Sequence, residues 1–435
     1  MTSLSTNARS QSGSYKWWVV GMLWLVCFFN YADRQAINSV FPLLETEFGF
    51  DKVQLGLIGS AFAWVYAAFA LAAGMMADRI ARKTLILGAC VVWSVFTLAT
   101  VWCDGLGSFI TVRALTGLGE TLYFPAAMSL LSDYHGKNTR SSAMSWHQSA
   151  VYAGTILGSW LAAILAERMG WRFPFYLFGP SGMLLAVVLF VLLREPRRGA
   201  SDMAMAASDL TTSTRLSVKE TLGIILRNPV ALFLVLAFLV ANFVAVIFLT
   251  WTPTFLVKKF AFSLGAAGLS GTVYIHLASA LVVPWAGLWA DRLARHFAAG
   301  RIVIQVAGLA GGAFFVFLVG TTGSVGILIA AMILFGIGKG LYDSGIFASL
   351  YDTIEPRARG TAAGIMNTVG WAGGALGPLF VGLVTKYGRK EHDWQNMSDA
   401  IAWCGAIYLL GAALLIAAMV LLLRRDTQHH ERGRT

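Results

Sequence analysis

Charge is what this sequence has least of. Asp, Glu, Lys and Arg make up 13% of its 435 residues, 57% are apolar and the mean hydropathy is +0.67. A soluble globular domain carries about 25% charged residues, so composition excludes that class. Cysteine is scarce too: Cys27, Cys90, Cys103 and Cys404 show no CxxC spacing, which excludes a zinc ribbon or a disulfide framework. Period-two alternation is missing, which excludes a membrane β-barrel. The chain contains no Walker sequence, nucleophile elbow or metal-ligand cluster. Those absences predict a protein that is not an enzyme, needs no cofactor and runs on existing gradients.

What is present is a series of long apolar runs. A helix crossing the hydrocarbon core takes about 20 mainly apolar residues, and its backbone must be satisfied within the segment. Spans are predicted at 17–44, 53–77, 84–103, 107–132, 141–166 and 172–193, then at 229–257, 265–290, 301–320, 324–350, 360–385 and 398–423. The expected architecture is an all-α membrane protein of twelve transmembrane helices in two pseudo-symmetric six-helix bundles. Its units are an N-terminal tail (1–16), a first bundle (17–193), a linker (194–228), a second bundle (229–423) and a C-terminal tail (424–435). The run from Trp17 is far longer than a signal-peptide core and is read as an uncleaved span.

The formal charge of +11 is not a nucleic-acid patch, because the basic residues lie in short links between apolar runs. Twenty-two Lys and Arg fall in the loops and tails of one side and eight on the other. By the positive-inside rule this predicts both termini in the cytoplasm of a plasma-membrane protein.

An internal repeat is legible. Gly74-Met-Met-Ala-Asp78-Arg79-Ile-Ala-Arg82-Lys83 returns in the second half as Gly287-Leu-Trp-Ala-Asp291-Arg292-Leu-Ala-Arg295-His296. Gly117-Leu-Gly-Glu-Thr-Leu-Tyr123 returns as Gly336-Ile-Gly-Lys-Gly-Leu-Tyr342, and the same register pairs Asp133 with Asp352, Arg140 with Arg359 and Gly158 with Gly377. Repeats of this kind mark transporters.

These motifs resemble the major facilitator superfamily, whose signature after the second span is Gly-x-x-x-Asp-Arg-x-x-Arg-Lys. Asn30-Tyr-Ala-Asp33-Arg34 and Arg113-x-x-x-Gly117-x-Gly119-Glu120 resemble its anion:cation symporter branch of organic-acid carriers. Spinster-like lipid transporters share much of that pattern. The resemblance implies a central cavity bounded by spans one, four, seven and ten. It also implies a cytoplasmic latch of Gly74, Asp78, Arg79, Arg82 and Arg140, repeated by Gly287, Asp291, Arg292 and Arg359.

Six ionisable residues lie inside predicted spans: Asp33, Arg34, Arg113, Glu120, Lys339 and Asp343. Such groups are costly in a bilayer and default to function. Arg113 and Glu120, two turns apart, share one helix face, as do Lys339 and Asp343 at i and i+4. Asp33 and Glu120 are expected to couple protons. Arg34 and Arg113 are expected to hold an anion, helped by Tyr31, Tyr123, His147, Gln148, Lys339, Tyr342, Asp343 and Asn367. Static ion pairs and interhelical hydrogen bonds are the plainer reading of the same residues. The functional expectation is a monomeric symporter importing a small organic anion, a sugar acid or other carboxylate, with protons. The alternatives are a spinster-like carrier of a lysolipid or other amphiphile, a carrier of a phosphate-bearing substrate, and a membrane sensor.

Overall fold

The computed structural model describes residues 5–136, 139–196, 217–355 and 358–432, and these form sixteen α-helices and one 3-10 turn. The first eight are α1 (Ser5–Ser39), α2 (Phe41–Phe48), α3 (Lys52–Arg79), α4 (Arg82–Ala99), α5 (Leu106–Thr121), α6 (Tyr123–Tyr134), α7 (Arg140–Met169) and α8 (Phe173–Leu192). The rest are α9 (Val218–Arg227), α10 (Pro229–Phe260), α11 (Leu264–Ala294), α12 (Gly300–Thr321), α13 (Val325–Asp343), α14 (Ile346–Thr353), α15 (Arg359–Tyr387) and α16 (Asp393–Arg432). Residues 197–216 of the expected linker lie outside the described residues. Its end is the short helix α9, where the Ser217 hydroxyl accepts from Glu220 N at 3.3 Å and Glu220 Oε2 accepts from Ser217 N at 2.8 Å. This reciprocal cap satisfies two N–H groups that the first helical turn leaves free.

The expected twelve spans in two six-helix bundles are corrected by this architecture. Ten helices among the described residues are long and apolar enough to cross a membrane, which makes the chain an integral, multi-pass membrane protein. The runs expected as spans one and four do not qualify. In the first, Asn30, Asp33, Arg34, Gln35 and Asn38 interrupt the apolar stretch of α1. In the second, the helix breaks at Leu122 into α5, of 16 residues, and α6, of 12. Pro125 explains that break: it has no N–H for the carbonyl four residues back, and its ring crowds that carbonyl.

Nor are the two halves separate bundles. Among the described residues, the most extensive helix pairing runs α3 along α15, and α7 packs along α11. One hydrophobic core extends through both halves, from Ala32, Ile37 and Phe41 to Trp251, Phe335 and Tyr408.

The repeat reappears in how helices cross. A Cβ on Gly117 would collide with the Phe62 carbonyl, and one on Gly336 with that of Ile275. Likewise Gly158 lies against Ala32, and Gly377 against Phe243. Removing the side chain lets backbones approach to where dispersion and weak C–H contacts replace the missing hydrophobic drive between helices in lipid. At the basic ends of the helices, Arg140 donates to the Ser132 carbonyl and its repeat counterpart Arg359 to that of Tyr351, so the two arginines tie down equivalent turns.

One end of the molecule is sealed across the halves. A Cβ on Gly56 would strike the Pro378 carbonyl at 2.6 Å, and one on Gly382 the Lys52 carbonyl. Trp251 Nε1 donates to the Pro378 carbonyl at 3.0 Å. Ionic contacts rim this seal: Lys386 Nζ lies 2.8 Å from Asp51 Oδ2 and Lys258 Nζ 3.2 Å from Glu45 Oε2, while Lys52 bonds Glu45. Burial pushes the Asp51 carboxyl up, but hydrogen bonds from Lys386 and the backbone of Gln54 outweigh it, so its pKa sits below the usual range. That pair is partly exposed, and exposed pairs contribute about 0–1 kcal/mol. The glycine contacts, not the ionic rim, therefore hold the end shut.

Gly56→Leu tests this. Overpacking costs about 1–3 kcal/mol, which falls on the sealed state alone, so the sealed end should part. A cysteine replacing Thr250, which packs on Gly59 and is 2% exposed, should then react with a water-soluble maleimide and stay protected without Gly56→Leu. Equal protection in both backgrounds would place the seal elsewhere.

Candidate functional site

The intramembrane charges divide between two compartments. The first is fully buried and is built by α1, α4 and α5. Arg34 Nε and Nη2 both donate to a single oxygen, Glu120 Oε2, at 3.0 and 2.6 Å, and Nη2 reaches Asn30 Oδ1 at 3.3 Å. Glu120 Oε1 has no partner. Asp33 Oδ2 accepts from the Thr97 hydroxyl at 3.4 Å, while Asp33 Oδ1 and Arg113 Nε are likewise without partners. Asp33, Arg34, Arg113 and Glu120 are all at most 7% exposed. Unsatisfied polar atoms are expensive in such surroundings. Here they leave a carboxylate oxygen able to take a proton without breaking an existing bond.

Aromatic rings replace water around the two arginines. The Arg34 guanidinium carbon lies 4.4 Å from the Tyr31 ring centre, 4.6 Å from Phe62, 5.2 Å from Trp371 and 5.5 Å from Tyr66. Arg113 lies 5.0 Å from Phe62. A desolvated cation over an aromatic face gains about 2 kcal/mol, which offsets part of the burial.

The second compartment is a cavity of about 760 Å³ between the halves. Its polar lining is Tyr31, Tyr66, Gln148, Tyr152, Asn242, Lys339, Tyr342, Asp343, Asn367 and Tyr408, set among Phe124, Phe238, Phe347 and Trp371. Lys339 and Asp343 bond one another, and the Tyr342 hydroxyl has no partner. The cavity reaches Gly74 and Gly360, beside the helix ends that carry Arg79 and Arg359. It lies toward the basic end of the molecule, opposite the seal.

Of the residues singled out by sequence, Tyr31, Gln148, Lys339, Tyr342, Asp343 and Asn367 meet at this cavity. Asp33, Arg34, Arg113 and Glu120 lie behind its wall. Tyr123 and His147 are buried away from it, where Tyr123 donates to the Leu23 carbonyl at 2.7 Å and shares a 2.7 Å hydrogen bond with His147 Nε2. With the tyrosine proton on Leu23, His147 Nε2 donates in the shared bond, and the pair ties α1, α6 and α7 together. Tyr66 and Trp371, which line both compartments, were missed. Each is one aromatic in an apolar run, and nothing local to it signals a cation nearby.

At the basic end, Arg82 bonds Asp133 and donates from Nε to Glu195 Oε1 at 2.9 Å. In the second half Arg301 bonds Asp352 and donates to Asp291 Oδ1 at 2.8 Å. Arg82 stands to Arg301 in the same register as Asp133 to Asp352. The partner of Arg82 in the repeat is thus Arg301, not the motif-aligned Arg295. Arg79 and Arg292 are exposed, and the Cβ positions of Gly74 and Gly287 meet nothing within 4 Å. The Asp78 side chain lies outside the described residues.

Comparison with known proteins agrees with this geometry. A probable galactarate/D-glucarate transporter of Bacillus subtilis is 26% identical over 444 residues, covering 96% of this chain and 94% of that one. The hexuronate transporter of the same organism is 25% identical over 93% of each chain. Among solved structures, a bacterial homologue of the human lysosomal transporter Spinster, inward-facing and unoccupied, superposes with a TM-score of 0.82 at 20% identity, covering 95% of this chain and 98% of that one. The profile described as Major Facilitator Superfamily matches residues 23–378 and 257–435. Relatives and fold alike are transport proteins rather than enzymes, and the chain is a secondary-active transporter belonging to the Major Facilitator Superfamily.

Proposed function

We propose that the protein imports a small organic anion, a sugar acid or similar carboxylate, together with protons, by alternating access. The observation that carries this reading is the buried Arg34–Glu120 pair, whose two bonds converge on one carboxylate oxygen. A proton on Oε1 removes the negative charge and leaves Arg34 free to bind a carboxylate. Proton and anion then favour one another's binding, which is the reciprocity a symporter needs. Asp33, with an equally unpartnered oxygen, is the second proton site. Lys339 offers a cation inside the cavity, and Gln148, Asn367 and the tyrosines offer hydrogen bonds to hydroxyl groups. Relatives named for galactarate, glucarate, hexuronate and galactonate support this substrate class.

The positive-inside rule, applied to the basic loops, supports a plasma-membrane protein whose cavity opens toward the cytoplasm, with both termini on that side. The form described here is then inward-open. The charged clusters Arg82–Asp133–Glu195 and Arg301–Asp291–Asp352, each within one half, stand at the helix ends where a cytoplasmic latch would close in the outward-facing form. A second reading, a carrier of a lysolipid or other amphiphile, is favoured by the aromatic and aliphatic share of the cavity wall. Competition for uptake by lysolipid against sugar acids separates the two.

Arg34→Ala should abolish anion uptake in proteoliposomes. Arg34→Lys should rescue poorly, since an ammonium group cannot hold two parallel bonds to a carboxylate or stack between four rings. Normal uptake by Arg34→Ala would move the anion site to Lys339.

Glu120→Gln keeps the shape of the protonated side chain and removes its titration. Counterflow exchange should persist while accumulation driven by a pH gradient is lost. If instead the pair is only structural, removing one partner of a buried pair costs about 3–5 kcal/mol, and exchange and stability should fall together. Accumulation at the parent level, or driven equally by sodium, would remove Glu120 from proton coupling.

A further inference from the structure

Of the four rings around the Arg34 guanidinium, Tyr31 comes from α1 and Phe62 and Tyr66 from α3, whereas Trp371 comes from α15 in the other half. Glu120 and Asn30 occupy the guanidinium edge. Among the described residues, Trp371 is therefore the aromatic contact that carries Arg34 across the gap between halves. Its indole also packs on Tyr66, with ring centres 4.6 Å apart, and lines the cavity. It sits between the buried charges and the space where cargo would arrive.

We propose that Trp371 is the positioning residue that makes movement of the two halves depend on whether the charge of Arg34 is balanced. This rests on the reading of Glu120 as a proton carrier. The physical basis is that a ring face attracts a cation in proportion to the charge left uncompensated, and the attraction is largest where water is excluded. With Glu120 ionised, the guanidinium is balanced at its edge and holds the indole weakly. With Glu120 protonated and no anion bound, the full charge faces the ring, and α15 is held against α1 and α3. An anion arriving at Arg34 restores the balance and releases the indole. The empty carrier and the fully loaded carrier can both rearrange, and the carrier holding a proton alone cannot. That rule couples two fluxes: protons do not cross without cargo.

The charged and titratable groups surrounding Glu120 are compatible with this. They are Asp33, Arg34, Tyr31 and Cys27 from α1, Arg113 from its own helix and Tyr66 from α3. Among the described residues of this set, Arg34 alone both bonds Glu120 and faces the Trp371 ring, so the balance of one guanidinium decides the grip.

The test uses the full chain in lipid nanodiscs, with spin labels on cysteines replacing Asp104 and Glu391, two exposed positions at the sealed end on opposite halves. The four native cysteines are buried and leave the labelling selective. Glu120→Gln, which fixes Arg34 in its unbalanced state, should show one short distance. Adding Trp371→Leu should introduce a second, longer population, and adding Trp371→Phe in its place, which keeps a ring face, should restore the short one. Identical distances with and without Trp371→Leu overturn the proposal, as does a Phe variant that behaves like Leu. In proteoliposomes with native Glu120, Trp371→Leu should admit protons without substrate and lose accumulation while retaining counterflow. A parent that fails to accumulate under a pH gradient would defeat the proton-symport reading by itself. The distance measurement still judges Trp371, because it needs neither gradient nor substrate.

Discussion

A guanidinium sealed from water sets the terms for everything around it. Arg34 is 7% exposed, and a buried charge persists only with a close opposite charge and further compensation. Glu120 supplies the charge, Asn30 a dipole and four rings the polarisable surface. Those demands reach the architecture itself. The two runs that fail as simple apolar spans are the two that carry these residues: α1 with Asp33 and Arg34, and the broken pair α5 and α6 beside Arg113 and Glu120. The departure from a regular bundle and the candidate site fall in the same two runs, with Pro125 making the break in the second.

The same charges explain why the protein presents two compartments instead of one charged cavity. Exposing Arg34 and Glu120 to cavity water would weaken their attraction, since the interaction falls as the surrounding dielectric rises. The wall of Tyr31, Tyr66 and Trp371 keeps the pair strong and leaves Lys339 and Asp343 as the charges facing the cavity. At the basic end the pairs of the second half are more exposed, with Asp291 and Asp352 about half accessible, whereas the side chains of Arg82 and Asp133 in the first half are 3% and 10% exposed. Exposed pairs such as those of the second half contribute about 0–1 kcal/mol.

The helical membrane class, the repeat and the intramembrane charges were all legible in the sequence, because each is a local pattern of length, spacing or polarity. Arg34 and Glu120 stood out as cations and acids in apolar runs. Their pairing was not legible, because it depends on how α1 packs near α5. Tyr123 and His147 looked like cavity residues, yet their polar atoms face α1 and each other. Trp371 gave no signal, since its role exists only where a helix from the second half meets α1 and α3. The span count failed for a related reason: hydropathy alone did not register the break before Pro125 or the polar run in α1. The motif alignment also chose Arg295 over Arg301, which only the shared carboxylate partners distinguish.

The register of the repeat contains a record of where the chain has absorbed length. Ala32 on α1 answers to Phe243 on α10, Phe62 on α3 to Ile275 on α11, and Arg82 at the start of α4 to Arg301 on α12. The separation widens slightly from the first pair to the second and more from the second to the third, after which it stays constant through Arg140 and Arg359. The glycine crossings kept their partners through each change, so the added residues went into the connections. The larger step falls in the turn between α11 and α12 at the basic end. Short insertions in exposed turns add little to the free energy of closing a loop. At its exposed residues Arg295, His296 and Ala298, that turn is accordingly a place where a foreign segment, such as a fiducial domain for imaging or an affinity epitope, can enter.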